Sequence, residues 1–254
     1  MQKERQRFKK AYIRLRKRQQ YNLKVIAITL YWAGFTVLNG QNVKDMEGNV
    51  YPVIKIGSQV WMAENLKTTI YNNGDSIGTT SPSTLDITIE NDPKYQWVYN
   101  DNENNLETYG RLYTWYAATD KRNICPTGWH VPSDAEWTTL TDYLTNNDYG
   151  YKDGKNEISK SMASTSGWTT NIIEGNAGND EMTNNSSGFS AFPGGYRYGI
   201  GSFNGLGSYS YWWSSTDVNS TAAWYRNLSD QRNDAYRDNT NKQNGISVRC
   251  LKDH

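Results

Sequence analysis

Three Tyr-Arg pairs near the end of the chain carry the residue types best suited to ligand binding: Tyr196-Arg197, Tyr225-Arg226 and Tyr236-Arg237. Tyr, Trp and Arg are enriched at protein interfaces, and exposed aromatic rings also stack on sugars. We therefore predict a ligand-binding surface in this part of the chain. Its candidate residues are Tyr196, Arg197, Tyr209, Tyr211, Trp212, Tyr225, Arg226, Tyr236 and Arg237.

The alternative interpretation of these residues is structural. The rings would then fill the core, and the arginines would donate hydrogen bonds to backbone carbonyls in long loops. Because successive strand residues face opposite sides of a sheet, Trp212 and Trp213 are expected to point in opposite directions. We expect one of them in the core and the other exposed.

The sequence offers few candidates for catalysis. Of its two histidines, His254 is the last residue and His130 lies in the turn before a predicted helix. A structural role is expected for His130, and a general base is the alternative. The 26 Asp and Glu residues are too many for one catalytic pair to be identified. We therefore expect that the protein is not an enzyme.

Residues 100–105 and 146–156 are rich in the oxygen-bearing side chains that calcium prefers. Neither segment has the spacing of an EF-hand loop. We expect solvated turns there and no cofactor, with a calcium site as the alternative.

Charge is distributed unevenly along the chain. Residues 1–24 contain ten basic residues and one acid, net +9, so the other 17 basic and 25 acidic residues give −8. An uncharged, mostly apolar run follows at residues 25–38; it has the length of a signal-peptide core and is short for a membrane span. We predict that residues 1–40 form a basic leader and export signal, cleaved near Gly40 or Gln41.

Two alternatives for this leader are an uncleaved N-terminal anchor and a basic tail that binds nucleic acid. The negative charge of the remaining chain disfavours nucleic acid, because phosphates would repel it. We therefore expect a secreted or cell-surface protein with no nucleic-acid partner and with membrane contact only through an uncleaved leader.

Residues 41–254 are predicted to form one domain with an aromatic core. The mean hydropathy of the chain is low, at −0.84, but the chain contains 10 Trp and 19 Tyr. Such rings bury large areas while their N–H and O–H groups stay hydrogen-bonded, which suits a fold with long loops.

Cys125 and Cys250 are the only cysteines in the sequence. Their spacing matches neither a zinc knuckle nor a redox pair, and in an exported protein a disulfide between them is expected. Two buried free thiols are the alternative.

A helix is predicted to begin after Ser133. Ser133 and Glu136 have the spacing of a capping box, and Trp137, Leu140 and Leu144 then recur on one face. That apolar face requires a cover, which we expect from Trp129 and the later strands.

Alternation around the turn Gly57-Ser58 predicts a β-hairpin over residues 54–62. Its two faces are predicted as Ile54, Ile56, Val60 and Met62 on one side and Lys55, Gln59 and Trp61 on the other.

Further elements are predicted from residue spacing. Leu112, Trp115, Tyr116 and Thr119 have helical spacing and predict another main helix, and a short helix is expected around residues 158–162. One strand is predicted at residues 95–99. Short aromatic segments between turns predict an antiparallel sheet in the last third of the chain.

Seven segments, in their order along the chain, resemble the Fibrobacter succinogenes major paralogous domain: GNVYPVIKIGSQVWMAENLKTTIYNNG, YGRLYTWYAA, CPTGWHVPSDAEWTTLTDYL, SGFSAFPGGYR, YWWSSTD, AWYRNL and GISVRC. The family is similar to the formylglycine-generating-enzyme branch of the C-type-lectin fold. The resemblance implies an α+β, C-type-lectin-like domain with a twisted antiparallel sheet, two main helices and long loops. The activity of its members is largely unassigned.

The resemblance also bears on chemistry. A formylglycine-generating enzyme needs reactive cysteines, and both cysteines of this chain are expected in a disulfide. The Glu-Pro-Asn and Gln-Pro-Asp triplets with which lectins bind sugar through calcium are absent, and Asn91-Asp92-Pro93 is the nearest approach.

The leading hypothesis is an exported, non-enzymatic binding or adhesion module that recognises a glycan or a surface protein through aromatic and Arg residues. The alternative is a structural or assembly component of the bacterial cell envelope that acts by protein–protein contacts. An enzyme of the formylglycine-generating-enzyme-like fold is a third, less favoured hypothesis.

Overall fold

Short strands account for most of the regular structure in the computed structural model, which describes residues 42–153 and 156–253. The predicted leader at residues 1–40 and His254 lie outside the described residues. In chain order, the strands are β1 (Asn42–Lys44), β2 (Val50–Ile56), β3 (Gln59–Met62), β4 (Gln96–Trp97), β5 (Leu112–Tyr113), β6 (Trp129–His130), β7 (Gly194–Arg197), β8 (Phe203–Leu206), β9 (Tyr209–Asp217), β10 (Ala222–Ser229), β11 (Tyr236–Asn241), β12 (Ile246–Ser247) and β13 (Leu251–Lys252).

Helices are few in the described chain, and only one of them is long. Single 3₁₀ turns occur at Tyr99–Asp101, Glu103–Asn105 and Glu181–Thr183. Over the same residues, no helix combines the length and the hydropathy that a membrane crossing needs. The α-helices are α1 (Leu106–Tyr109), α2 (Trp115–Ala118), α3 (Asp134–Asn146) and α4 (Ser159–Met162).

The prediction of a second main helix is wrong. Leu112 and Tyr113 form strand β5, which pairs with both β4 and β12. The side chain of Thr114 then caps α2, which ends after one turn. The helical spacing of Leu112 and Trp115 therefore spans a strand and a short helix. The strand predicted at residues 95–99 and the short helix predicted around residues 158–162 are confirmed as β4 and α4.

The strands form three sheets. The first has the order β1–β2–β3–β13–β6, the second β11–β10–β9–β12–β5–β4, and the third contains β7 and β8. The strand pairs within these sheets are antiparallel except β12 with β9, which are parallel at Ser247 and Trp212. The fold is a mixed α/β structure made mostly of strands, and the predicted antiparallel sheet is confirmed apart from this one parallel pair.

Two hydrophobic cores stabilise these sheets. The first core surrounds the two cysteines and includes Tyr51, Met62, Tyr113, Trp213 and Val248. The second core lies beneath α3 and includes Trp61, Trp137, Leu140, Leu144, Phe189 and Trp212. In the second core, the ring of Trp137 lies 4.7 Å from that of Trp61 and 5.8 Å from that of Trp212, measured between centroids.

The hairpin β2–β3 is confirmed, but its predicted faces are wrong. The two-residue turn pairs Ile54 with Trp61 and Lys55 with Val60, and directly paired residues share a face. Trp61 and Ile54 therefore pack in the second core, whereas Val60 and Met62 pack in the first. Both faces of the hairpin contact a hydrophobic core.

The predicted disulfide between Cys125 and Cys250 is present, and both side chains are buried in the first core. It joins the segment before β6 to the segment between β12 and β13. The end of the chain is thereby linked to the region from which α3 begins.

The predicted start of α3 is also confirmed. The Oγ of Ser133 accepts a hydrogen bond from the backbone N–H of Glu136 at 3.3 Å, and Oε2 of Glu136 accepts one from the backbone N–H of Ser133 at 2.7 Å. Trp137, Leu140 and Leu144 follow and are fully buried. Local capping and one apolar face therefore determine where this helix begins and which side packs.

His130 lies between the first turn of α3 and the end of β13. Its Nδ1 is 2.6 Å from Oδ1 of Asp253, and its Nε2 is 2.9 Å from Oε1 of Glu136. Burial alone would lower the pKa of His130, but the hydrogen bonds with Asp253 and Glu136 outweigh it and raise the pKa above its usual 6.5. These contacts agree with the predicted structural role, because the imidazole bridges two elements.

Removal of the disulfide should destabilise the protein. Cys250→Ser should lower the free energy of unfolding by about 2–5 kcal/mol, because the bond constrains the unfolded chain across a large separation. Cys125→Ser removes the same bond and should have a matching effect in urea unfolding. Two free thiols in the mass of the non-reduced protein would contradict the pairing.

The buried face of α3 should contribute more to the free energy of unfolding than its N-cap does. Trp137→Ala should cost about 3–5 kcal/mol as a core truncation, and Ser133→Ala about 1 kcal/mol through the lost N-cap. Thr139→Ala, on the exposed face of the same helix, is the control and should change stability by less than about 0.5 kcal/mol. The order of the three values in urea unfolding checks the prediction, which fails if Ser133→Ala is the most damaging.

Stability should decrease as the pH rises above about 6.5, the usual pKa of histidine. The pKa of His130 is higher in the folded state than in the unfolded state, so the folded state favours the charged imidazole. The charged imidazole therefore contributes its full stabilisation below the unfolded-state pKa. This stabilisation is lost as the pH rises through the folded-state pKa. His130→Gln should remove this dependence in urea unfolding between about pH 5.5 and 8.5. His254→Gln, which removes the other imidazole, should retain it. If the free energy of unfolding of His130→Gln depends on pH as that of the parent does, another group is responsible.

Candidate functional site: a face of tyrosine side chains

Five tyrosines form one cluster of rings beside the second sheet. Tyr209 and Tyr211 lie on the same face of β9, Tyr225 lies on the neighbouring β10, Tyr196 lies on β7, and Tyr198 follows that strand directly. We call these five residues the tyrosine face. Tyr198 was missed by the sequence prediction, although its i, i+2 spacing from Tyr196 could have indicated it.

The rings of the tyrosine face contact one another, mostly edge to face. The centroid of Tyr196 lies 4.9 Å from those of both Tyr198 and Tyr211, and Tyr211 lies 5.2 Å from Tyr225. Tyr209 completes the cluster at 5.8 Å from Tyr211. Each such contact contributes about 0.5–1.5 kcal/mol beyond area burial, so the rings restrain one another before any ligand binds.

A glycine allows the backbone of β8 to approach these rings. Gly205 has a φ of +77°, and a Cβ at this position would lie 2.8 Å from Cδ2 of Tyr209 and 3.1 Å from Cε1 of Tyr196. Any larger residue would be strained and would displace the rings. Gly205 is therefore part of the structural support of the tyrosine face.

The phenolic hydroxyls of this face are largely free of protein partners. The hydroxyl of Tyr196 donates to that of Tyr198 at 3.1 Å. Within the described residues, the hydroxyls of Tyr209, Tyr211 and Tyr225 have no hydrogen-bond partner, and the three residues are partly exposed. These three groups can therefore accept from and donate to a ligand.

The hydroxyls of Tyr211 and Tyr225 stay protonated at neutral pH. Desolvation, followed by the charge of Asp238, raises the pKa of Tyr225 to about 12. Desolvation and the neighbouring tyrosines raise that of Tyr211 further. The face therefore presents neutral phenols at these two positions.

A small pocket opens between the rings. It has a volume of about 110 Å³, and its walls are Tyr196, Tyr198, Tyr211 and Tyr225. Its remaining lining residues are Thr240, Asn244 and the buried Ile246. No charged side chain lines this pocket.

Tyr236, another predicted site residue, lies on β11 beyond the tyrosine face. Its hydroxyl donates to Oδ2 of Asp238 at 3.3 Å, and the guanidinium of Arg232 lies over its ring at 4.3 Å. Tyr236 is half-buried and already has protein contacts on its polar and aromatic groups.

The prediction that Arg197 contacts a ligand is wrong, because Arg197 is fully buried. Its guanidinium donates to the backbone carbonyls of Ser83 and Tyr198, both at 2.9 Å, and to that of Leu85. It also stacks on Trp97 at 4.1 Å. The alternative interpretation, in which arginines bond to loop carbonyls, is confirmed at this position.

Arg226 and Arg237 join the second sheet to α3. Arg226 is buried and donates to Oδ1 of Asp134 at 2.7 Å and to Oγ1 of Thr138 at 3.0 Å, so its predicted contact with a ligand is wrong. Arg237 is partly exposed, pairs with Asp134 at 2.8 Å and lies 3.4 Å above the ring of Trp224. Because Arg237 and Tyr236 are successive strand residues, Arg237 lies on the sheet face away from the tyrosine face.

Trp212 and Trp213 point to opposite faces, as predicted, but neither is exposed. Trp212 packs in the second core and Trp213 in the first. The prediction that Trp212 contacts a ligand is therefore wrong: β9 is covered on both sides at this point.

Arg249 is a buried residue that the sequence prediction missed. Its guanidinium donates to Oδ1 of Asn65 at 2.9 Å and to the backbone carbonyl of Phe189, whose ring it overlies at 4.2 Å. Its alternation with Val248 and Cys250 could have placed it on the face opposite to them. These contacts give it a structural role.

A larger open cleft of about 730 Å³ lies near α2 and includes Trp115, Tyr116 and several charged residues. Several of its charges pair with each other: Lys94 with Asp120 at 2.6 Å, and Lys242 with Asp217 at 3.2 Å. The Nζ of Lys242 also lies 4.1 Å over the ring of Trp115. We call it the charged cleft.

Groups that could hold a metal ion do not come together in the described chain. His130 is engaged by two carboxylates that link structural elements. Over residues 42–153 and 156–253, no three His, Cys, Asp or Glu side chains are grouped so that they could hold a metal ion. Of the calcium candidates, Asn102 and Asn105 bond to nearby backbone, and the segment 146–156 includes two residues outside the described ranges.

Comparison with known sequences agrees with the resemblance found in the motifs. The sequence model of the Fibrobacter succinogenes major domain matches residues 54–252. No curated protein and no solved structure matches the chain significantly. Because the family model covers most of the sequence, this chain belongs to the Fibrobacter succinogenes major domain family.

Proposed function

We propose that this protein is an exported, non-enzymatic binding module and that it recognises a glycan through the tyrosine face. The observation that carries the proposal is the combination of five clustered rings with three partly exposed tyrosines, Tyr209, Tyr211 and Tyr225, whose hydroxyls have no hydrogen-bond partner in the described chain. Sugars present C–H groups that pack on rings and hydroxyls that exchange hydrogen bonds with phenols.

The electrostatics of the face favour a neutral ligand. The five residues are all tyrosines, and the nearby arginines bond to protein groups: Arg197 to loop carbonyls and Arg237 to Asp134. A charged ligand would find no unpaired countercharge among the lining residues of the pocket. Neutral sugar units meet this requirement.

Two further parts of the proposal concern fold and location. The disulfide in the first core is typical of proteins that leave the reducing cytosol, which supports export through residues 1–40. The mixed, loop-rich sheet structure supports a C-type-lectin-like fold. The proposed recognition uses rings and hydroxyls and needs no calcium.

A screen of the full chain on immobilised glycans, with calcium and with EDTA, tests this proposal. Tyr198→Ala and Tyr211→Phe should each weaken binding to the best glycan by about tenfold, or about 1.4 kcal/mol, because they remove a stacking ring and a hydroxyl. Tyr116→Ala, which changes a ring in the charged cleft, is the matched control and should bind like the parent.

Melting temperatures separate binding from folding in the same set. Arg197→Ala and Arg226→Ala should lower the melting temperature, because they leave buried acceptors unpaired, while the folded fraction keeps its affinity. If no glycan binds, a structural component of the cell envelope becomes the better explanation. If Tyr198→Ala and Tyr211→Phe bind like the parent, the site lies elsewhere.

A further inference from the structure

The pocket within the tyrosine face is too small for a whole sugar ring. Its volume is about 110 Å³, whereas pockets that enclose a complete small ligand measure about 300–1,000 Å³. A ligand on this face would therefore place one substituent in the pocket and leave its ring against the exposed tyrosines. The chemistry of the lining then decides which substituent fits.

The inner end of the pocket is apolar. Ile246, which is 2% exposed, belongs to the first core, and the rings of Tyr211 and Tyr225 stand beside it. An apolar floor of this kind favours a methyl group over a hydroxyl, because a buried hydroxyl needs a partner.

The rim of the pocket offers an oriented hydroxyl. Oγ1 of Thr240 accepts a hydrogen bond from Nδ2 of Asn244 at 2.7 Å, while Oδ1 of Asn244 accepts one from the backbone N–H of Gly199 at 2.8 Å. These two hydrogen bonds fix the orientation of the Asn244 amide and occupy one lone pair of the Thr240 hydroxyl oxygen. Within the described residues the Thr240 hydroxyl donates to no acceptor, so its proton is available for a carbonyl oxygen of a ligand.

The absence of charged lining residues further limits which substituents can bind in the pocket. Its seven lining residues are four tyrosines, Thr240, Asn244 and Ile246. A carboxylate or phosphate group would lose its hydration there with no cationic lining residue in return, and it would meet the negative charge of Asp238 that already acts on Tyr225. The group that fits is small and neutral, with a methyl at one end and an amide that can accept and donate.

We infer that this pocket takes the acetamido group of an N-acetylated sugar, with the methyl toward Ile246 and the carbonyl oxygen accepting from Thr240. The amide N–H would then donate to one of the free tyrosine hydroxyls. This inference rests on the proposed function, because it names the sugar class that the tyrosine face selects.

The test compares oligosaccharides with the same backbone and different substituents at C2. Calorimetric titration of the full chain would use β-1,4-linked hexamers of N-acetylglucosamine, of glucosamine and of glucose. N-acetylgalactosamine and galactose would serve as competitors of any glycan found in the screen. We expect the acetylated sugar to bind at least about tenfold more tightly than its unacetylated counterpart, or about 1.4 kcal/mol.

Variants of Thr240 test the predicted donor. Thr240→Val keeps the shape and removes the hydroxyl, and should reduce the preference for acetylated sugar by about tenfold. Thr240→Ser should restore the preference, which a purely structural role of the methyl group would not predict. Asn239→Ala, the exposed neighbour on the other face of β11, is the control and should behave like the parent.

The outcomes separate the inference from the proposed function. Equal binding of acetylated and unacetylated sugars, or a preference unchanged in folded Thr240→Val, overturns the inference and leaves glycan recognition by the tyrosine face standing. Absence of binding to every glycan in both experiments overturns the two together.

Discussion

Strand β9 has no free face where it carries Trp212 and Trp213, and much of the structure follows from this constraint. Both rings are fully buried, one in each core. Each indole N–H has an internal acceptor: Oδ1 of Asn65 for Trp212 and the carbonyl of Tyr113 for Trp213. A chain of low mean hydropathy can cover both sides of a strand only with large side chains, because each ring buries a large area for one polar atom.

Two cores covered largely by loops create a second requirement, since every buried backbone carbonyl needs a donor. Arg197 supplies donors to Ser83 and Leu85, and Arg249 supplies one to Phe189. A guanidinium carries five N–H donors in a fixed plane, so one side chain can satisfy several carbonyls. Burial lowers the pKa of Arg249 to about 9 and that of Arg197 to about 10, and both remain charged at neutral pH. These arginines do in the loops what strand pairing does in the sheets.

Sequence reasoning succeeded where the determinants of an element lie close together. The capping pair Ser133 and Glu136 is local, and so is the turn of hairpin β2–β3. It failed where the outcome depends on distant chain: Leu112 pairs with β12 instead of extending a helix, and Arg197 bonds to residues more than 100 positions away. For the candidate site, composition indicated the tyrosines. The burial of Trp212, however, depends on packing against α3, and no local pattern in the sequence of β9 reveals that contact.

The same strand shows why the tyrosine face lies where it does. Trp213, Tyr211 and Tyr209 alternate along one side of β9, and the side chains change from Trp to Tyr where the first core gives way to solvent. Tyrosines at such a boundary need no ligand to explain them, since a phenol can pack its ring and leave its oxygen in water. Packing alone, however, favours closing the gaps between rings. The pocket between Tyr211, Tyr225 and Ile246 stays open, and this unfilled, uncharged space is the feature of the tyrosine face on which the proposed binding rests.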